Sequence, residues 1–201
     1  MKKILIFALR ITLTFLLLLF LNSCTCKCIK THLTNEEREW FNAYRKGQQI
    51  IFKSNLGNID TLSVSNKYEA FGNKDCNCYE VGNIQNNVMN IDLQSKICHN
   101  DSYCAGGISI IKEKMDEKCF PSFSLFGLFY SKIHQKVEPK TESIKLITAN
   151  IVYNYVYHIQ DGVNGDNFGN CYLKSFYWDK KEGLIRYDTS EGEIFALLSK
   201  K

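Results

Sequence analysis

The chain has 201 residues, 45% hydrophobic and 23% charged with 2 prolines, a globular balance that supports one domain with its own core and excludes a disordered tail. Its 13 Phe, 11 Tyr and 2 Trp, with many β-branched residues, favour strands over helices. Of 25 basic residues, Lys2, Lys3 and Arg10 fall in the first ten positions, so the remainder carries a net charge of about +1, and nucleic acid, which needs clustered Lys and Arg, is excluded as a partner.

Residues 1–23, MKKILIFALRITLTFLLLLFLNS, pass from two lysines into an apolar stretch from Ile11 to Leu21, broken only by Thr12 and Thr14. A basic start followed by a short apolar core is the pattern of a secretory signal. A spanning helix needs roughly 20 apolar residues, and this stretch falls short unless Arg10 enters the bilayer at a cost of a few kcal/mol. Leu21-Asn22-Ser23-Cys24 resembles the lipobox of bacterial lipoproteins, with Asn22 where Ala or Ser is commoner. The resemblance implies diacylglycerol on the Cys24 thiol, cleavage before it, and acylation, as by palmitate, of the new amine. Several chains hold a protein on a membrane where one gives only marginal binding. An ordinary signal peptide with Cys24 as a disulfide cysteine is the alternative. Neither an Asp after Cys24 nor an acidic run in Thr25–Lys30 is present, so the resemblance implies an outer-membrane location facing the periplasm.

Residues 24–33 read as a lipidated tether and 34–201 as a single domain. Thr34-Asn35-Glu36-Glu37 is a capping box that opens a helix, with Leu33 placed to staple onto it. Trp40, Phe41 and Tyr44 form its apolar face, and Gly47 ends it. The period then changes to two. Ile50–Phe52 begins a strand, Ser54–Asn58 is a hairpin turn, and Ile59–Val64 alternates, with Asp60, Leu62 and Val64 on one face. Further strands are expected at Tyr68–Phe71, Val88–Leu93, Ile108–Lys112, Phe123–Tyr130 and Ile151–Ile159. Strict alternation in the last of these sets Ile151, Tyr153, Tyr155 and Tyr157 against Val152, Asn154, Val156 and His158. The chain ends in a meander: strands at Cys171–Trp178, Leu184–Tyr187 and Glu193–Leu198, with turns at Asp179–Gly183 and Asp188–Gly192.

The expected fold is β-rich α+β: an antiparallel meander of about eight to ten strands, open barrel or sandwich, covered by one N-terminal helix and cross-linked by disulfides. The segments LTNEEREWFNAYRKGQQIIFKSNLGNIDTLSV and YWDKKEGLIRYDTSEGEIFALL resemble small, β-rich, lipobox-containing lipoproteins of Gram-negative envelopes. The likeness covers about a third of the chain. Its motifs are caps, turns and strand alternation, so it implies a fold and no activity.

If Cys24 is lipidated, eight of the nine cysteines remain, and an even number in an oxidising compartment points to disulfides. Cys98 and Cys104 bracket a polar loop and suit a local bridge; Cys76 or Cys78 suits a bridge to Cys119 or Cys171. The competing chemistry is a soft metal on the C-x-C pairs of Cys24, Cys26 and Cys28 and of Cys76 and Cys78, although zinc sites usually show C-x₂₋₄-C. No metal or other cofactor is assigned.

The histidines His32, His99, His134 and His158 show no metal spacing, and His158 lies in an aromatic-rich strand that favours packing. Glu182, Glu191 and Glu193 read as turn surface. The Asp161–Asn170 loop departs from the EF-hand order at Val163 and reads as a Gly/Asn connection. Asp60-Thr61-Leu62 resembles an acceptor for envelope O-glycosylation, with an ordinary strand as the simpler reading. The apolar run Cys119–Tyr130 reads as a core strand, with a partner or ligand surface as the sharper alternative. No nucleophile elbow, H-E-x-x-H or paired-acid motif is visible, which favours a non-catalytic binding or structural role over a hydrolase. The partners implied are the membrane, through the lipid, and a protein or apolar ligand; carriage of a lipid in the curved sheet is the alternative function.

Overall fold

The computed structural model describes residues 27–78, 80–96, 104–132, 137–146, 150–168 and 172–201. The Thr34 hydroxyl accepts from the Glu37 N–H and the Glu37 carboxylate accepts from the Thr34 N–H, so the expected capping box forms. The helix it opens is only one turn, α1 (Asn35–Arg38), continued by a 3₁₀ turn over Glu39–Phe41. Trp40, Phe41 and Tyr44 are all buried. Because those three side chains enter the core one after another, the backbone tightens there instead of running on to Gly47, whose φ of +83° still reverses the chain.

Twelve strands build one antiparallel sheet: β2 (Gln49–Ser54), β3 (Ile59–Phe71), β5 (Asn87–Ser95), β6 (Ala105–Lys112), β7 (Ser122–Leu125), β8 (Leu128–Tyr130), β9 (Lys140–Leu146), β10 (Ile151–Gln160), β11 (Asp166–Asn167), β12 (Leu173–Asp179), β13 (Gly183–Thr189) and β14 (Ile194–Lys200). Their order is β11-β8-β7-β6-β5-β3-β2-β14-β13-β12-β10-β9. A separate parallel pair joins β1 (Ile29–Lys30) to β4 (Ile84–Gln85). The β-rich class, the single covering helical turn and the C-terminal meander are as expected; the strand count is higher because β9 and β11 carry no apolar alternation of their own.

The sheet curls into a half-barrel. Phe123 of β7 lies 5.3 Å from Trp178 of β12, and Phe126 lies 5.6 Å from Tyr187 of β13, although these strands are far apart in sheet order. At one mouth the Asn167 amide donates to the Leu173 carbonyl at 3.1 Å, linking β11 to β12. Trp40 fills the concavity against Phe120, Phe123 and Tyr157. Tyr44 donates no space to anything else: its hydroxyl accepts from the Leu184 N–H at 2.6 Å and occupies the volume where a Gly183 side chain would stand. Gly183, at φ +78°, is therefore required twice over.

Three local expectations change. Ile59–Val64 and Tyr68–Phe71 are not two strands but one, β3. Phe123–Tyr130 is a hairpin, not one strand, turning at Phe126 (φ +47°) and Gly127 (φ +94°). Two positive φ values make the primed turn that matches strand twist. Burial of the Phe126 ring on Tyr172 and Tyr187 holds a residue type that ordinarily avoids that conformation. In β10 the register shifts between Tyr153 and Val156, which breaks the single alternation: Tyr155 is 77% exposed, while Val156 and Ile159 are buried.

Candidate functional site

A cleft of about 390 Å³ opens where the loop after β6 folds beside β7 and β8. Ile111, Phe120 and Ser122 line it with apolar and small side chains, Glu117, Lys118 and Lys132 bring charge, and Cys119 adds a thiol.

Glu37 builds this place. One carboxylate oxygen caps Thr34 N–H at 2.8 Å; the other accepts from Lys112 Nζ at 2.8 Å and from the Cys119 N–H at 2.9 Å. Lys112 also donates to the Glu117 carbonyl, and Thr31 donates to the Lys112 carbonyl. Both charged groups of the Glu37–Lys112 pair are almost fully buried. Burial pushes the Glu37 carboxyl up, but the donors from Lys112, Cys119 and Thr34 outweigh it and leave the group below its ordinary value. A single carboxylate thus ties the helical turn, the end of β6 and the cleft loop together. On the surface above, Lys118 pairs with Glu36 at 2.8 Å.

Cys119 was an expected disulfide partner, and here the expectation is corrected: it is a free thiol. Its backbone is held by Glu37, and its Sγ lies 3.8 Å from the Glu117 carbonyl. Burial pushes the thiol up, and Lys112 only partly counters it. At neutral pH it is protonated, so it lacks the thiolate that a cysteine nucleophile needs.

The other sulfurs gather elsewhere. Cys28 bonds to Cys76, 48 residues away, in place of the expected bridge from Cys76 to Cys119 or Cys171. Cys78 and Cys104 are disulfide-bonded as well. Cys24, Cys26, Cys98 and Cys171 lie outside the described residues, as do His99 and His134.

A second polar group stands on β9, β10, β12 and β13. His158 stacks on Tyr177 at 4.3 Å and places Nδ1 3.1 Å from Glu142. Arg186 lies over the other side of Tyr177 at 4.9 Å and grips Asp188 with two nitrogens, at 2.6 and 2.8 Å. Burial lowers the His158 pKa despite Glu142. The imidazole is packed as a neutral ring, and its Nε2 is buried without a partner among the described residues. This is the packing role expected of His158.

His32 stands edge-on to Phe71. Asn164, buried in the Asp161–Asn170 loop, accepts from Gln160 N–H and donates to the His158 carbonyl, so its side chain stitches a turn. Glu182 accepts from Lys200 and Glu193 from Asn58, both at the surface. Thr61 sits in the β2–β3 ladder opposite Ile51. Its neighbour Asp60 is buried and accepts from Ser95 at 3.0 Å and Tyr187 at 2.6 Å. Burial and that carboxylate both hold the Tyr187 hydroxyl protonated. In the sequence Asp60 shared a face with Leu62 and Val64 and was read only as part of an acceptor-like Asp-Thr-Leu or an ordinary strand. Glu37 was read only as a cap, and Lys112 only as a strand end.

No protein-family model, curated protein or solved structure matches this chain.

Proposed function

We propose that the mature chain is a lipid-anchored lipoprotein of the bacterial envelope, on the outer membrane facing the periplasm, whose body is a non-catalytic binding module. The lipobox-like Leu21–Cys24 supports the anchor. The cleft beside Cys119 carries the binding role: a partly apolar floor with both signs of charge at its edge suits an amphipathic ligand or a partner side chain. The chain enters its first β pair at Ile29, five residues after Cys24, and Cys28 is bonded to Cys76, so an anchor at Cys24 holds the body close to the bilayer.

Carriage of an acyl chain within the curved sheet is the weaker reading. Trp40, Phe123, Tyr157 and Trp178 pack ring against ring across the concavity, and a lipid there would have to displace the Trp40 turn.

Labelled palmitate is expected to enter the wild-type protein and not Cys24→Ser, with the variant leaving the membrane fraction. Unchanged labelling and fractionation in that variant would remove the anchor. For the cleft, native mass spectrometry of the detergent-extracted protein should show a bound species that Phe120→Asp abolishes. A species retained by Phe120→Asp but lost in Trp40→Ala would favour carriage inside the sheet.

A further inference from the structure

The Sγ atom of Cys78 lies 4.0 Å from that of Cys28 and 3.9 Å from that of Cys76. All three residues are half-buried, and the three sulfurs lie within 4.8 Å of one another. Cys78 therefore stands side-on to the Cys28–Cys76 bond, nearly equidistant from its two ends. Thiol–disulfide exchange needs the attacking sulfur in line with the bond it breaks, so this arrangement is poorly set for a relay between bridges. It is well set for something else. Zn–S bonds of 2.3 Å in a tetrahedral site put ligand sulfurs about 3.8 Å apart, close to the two spacings already present.

The backbone that holds these sulfurs does not depend on the bridges. On one side Ile29 N–H donates to the Asn83 carbonyl at 2.8 Å and Thr31 N–H to the Gln85 carbonyl at 3.0 Å, which fixes the chain beside Cys28. On the other, Asn73 organises the loop: its Oδ1 accepts from Asn77 N–H at 2.7 Å, its Nδ2 donates to the Gly82 carbonyl at 2.8 Å, and its carbonyl accepts from Cys76 N–H at 3.0 Å. The Asn73 Nδ2 also approaches Cys28 Sγ at 4.0 Å, the kind of weak N–H donor that supports a thiolate. Cys76 itself has φ +54°, a left-handed backbone uncommon for a side chain with Cβ, and this loop conformation sets its sulfur beside that of Cys78.

We propose that Cys28, Cys76 and Cys78 form a redox-gated site for one soft, thiophilic cation of the Zn(II) or Cu(I) class, closed while bridged and open when reduced. Opening is balanced by a dithiol reductant. Each bridge takes up two electrons and two protons and becomes two thiols, while the reductant becomes its own disulfide. The three thiols then lose their protons as the ion binds, and a fourth position stays open to solvent or ligand. This inference is independent of the lipid anchor and of the cleft, and a failure of either leaves it standing.

The test uses the full mature chain, oxidised and after anaerobic reduction, titrated with Zn(II) against a chromophoric chelator and with Co(II) as a spectroscopic stand-in. The reduced chain should take up one Zn(II) and show a thiolate-to-cobalt charge-transfer band; the oxidised chain should do neither. Cys76→Ser and Cys78→Ser should each weaken binding by more than about 100-fold, beyond what losing a supporting contact costs. Cys119→Ser should bind as the parent does. Circular dichroism on the same samples reports whether the sheet persists. No uptake by the reduced, folded chain, binding by Cys76→Ser or Cys78→Ser as tight as the parent's, or loss of the sheet on reduction would each overturn the proposal.

Discussion

The C-terminal meander, β12 to β14, is part of the sheet and the N-terminal strap of residues 27–44 packs against that sheet, and the strap carries a kind of fastening that the meander does without. The meander is fastened by rings: Trp178 on Tyr44 and Phe123, Tyr187 on Phe52, Phe126 and Phe195. Such contacts are broad and tolerate small shifts, because apolar burial is non-directional. The strap is fastened by links that each have one right partner: Cys28 to Cys76, Glu37 to Lys112 and Cys119, Arg38 to Glu69. A meander of sequential hairpins needs no such links, since its neighbours in space are its neighbours in sequence. A strap crossing to residues 31 to 82 positions away cannot rely on proximity along the chain, and it adds covalent and charged contacts to the burial of Trp40, Phe41 and Tyr44.

The largest effect expected on the meander comes from Trp178→Ala, which empties a fully buried site and should cost about 3–5 kcal/mol in denaturant unfolding. All probes should lose stability together. The matching break in the strap is Lys112→Met, which leaves the Glu37 carboxylate buried and uncompensated, at about 3–5 kcal/mol. Here hydrogen exchange separates the regions: amides of 35–41 and 113–121 should open while those of β12–β14 stay protected. If the meander opens equally, the two regions are one cooperative unit and the comparison fails.

Replacing Cys28 and Cys76 together by Ser should cost about 2–4 kcal/mol, chiefly by freeing the unfolded chain. The cost should appear as a lower denaturation midpoint, with ring packing at Trp178 unchanged by near-ultraviolet dichroism.

The smallest effect is a pH dependence that tells the regions apart. His158, on β10 and stacked on Tyr177 of the meander, has a lowered folded pKa, so the unfolded state binds its proton more readily. Stability is complete above the ordinary imidazole value of about 6.5 and falls as pH drops below it. Glu37 has a lowered pKa too, but for a carboxylate this means stability present above the ordinary carboxyl value and lost as pH falls through the folded one. Unfolding curves should therefore show a first decline just below pH 6.5 that His158→Gln removes, and a second in the acid range that Lys112→Met reduces.

Much of this was legible in the residues. Thr34 and Glu37 announced their reciprocal cap because both hydrogen bonds are made within four residues. The 59–64 alternation set Asp60, Leu62 and Val64 on one face, which is the buried one, because side-chain parity along a strand is a local property. Parity failed at β10, where the register shift after Tyr153 resets it. The run from Phe123 to Tyr130 hid its turn, because Phe126 carries none of the chemistry of a turn residue.

The candidate site was less legible. Glu37 pairs with Lys112 across 75 residues, and nothing in either neighbourhood names the other. The nine cysteines announced disulfides without saying which, since pairing depends on where loops meet. What the sequence determined alone was what hydrogen-bond reach and strand period decide within a few residues: the cap, the hairpins of the C-terminal meander, the inward stripe of β3 and the β-rich class. Tertiary structure decided how far the sheet curls, that Trp40 fills its concavity, that Cys28 finds Cys76 beside Cys78, and that Cys119 keeps its proton in a cleft. Those outcomes depend on long-range approach, where burial and charge at one position are set by residues brought from elsewhere in the chain.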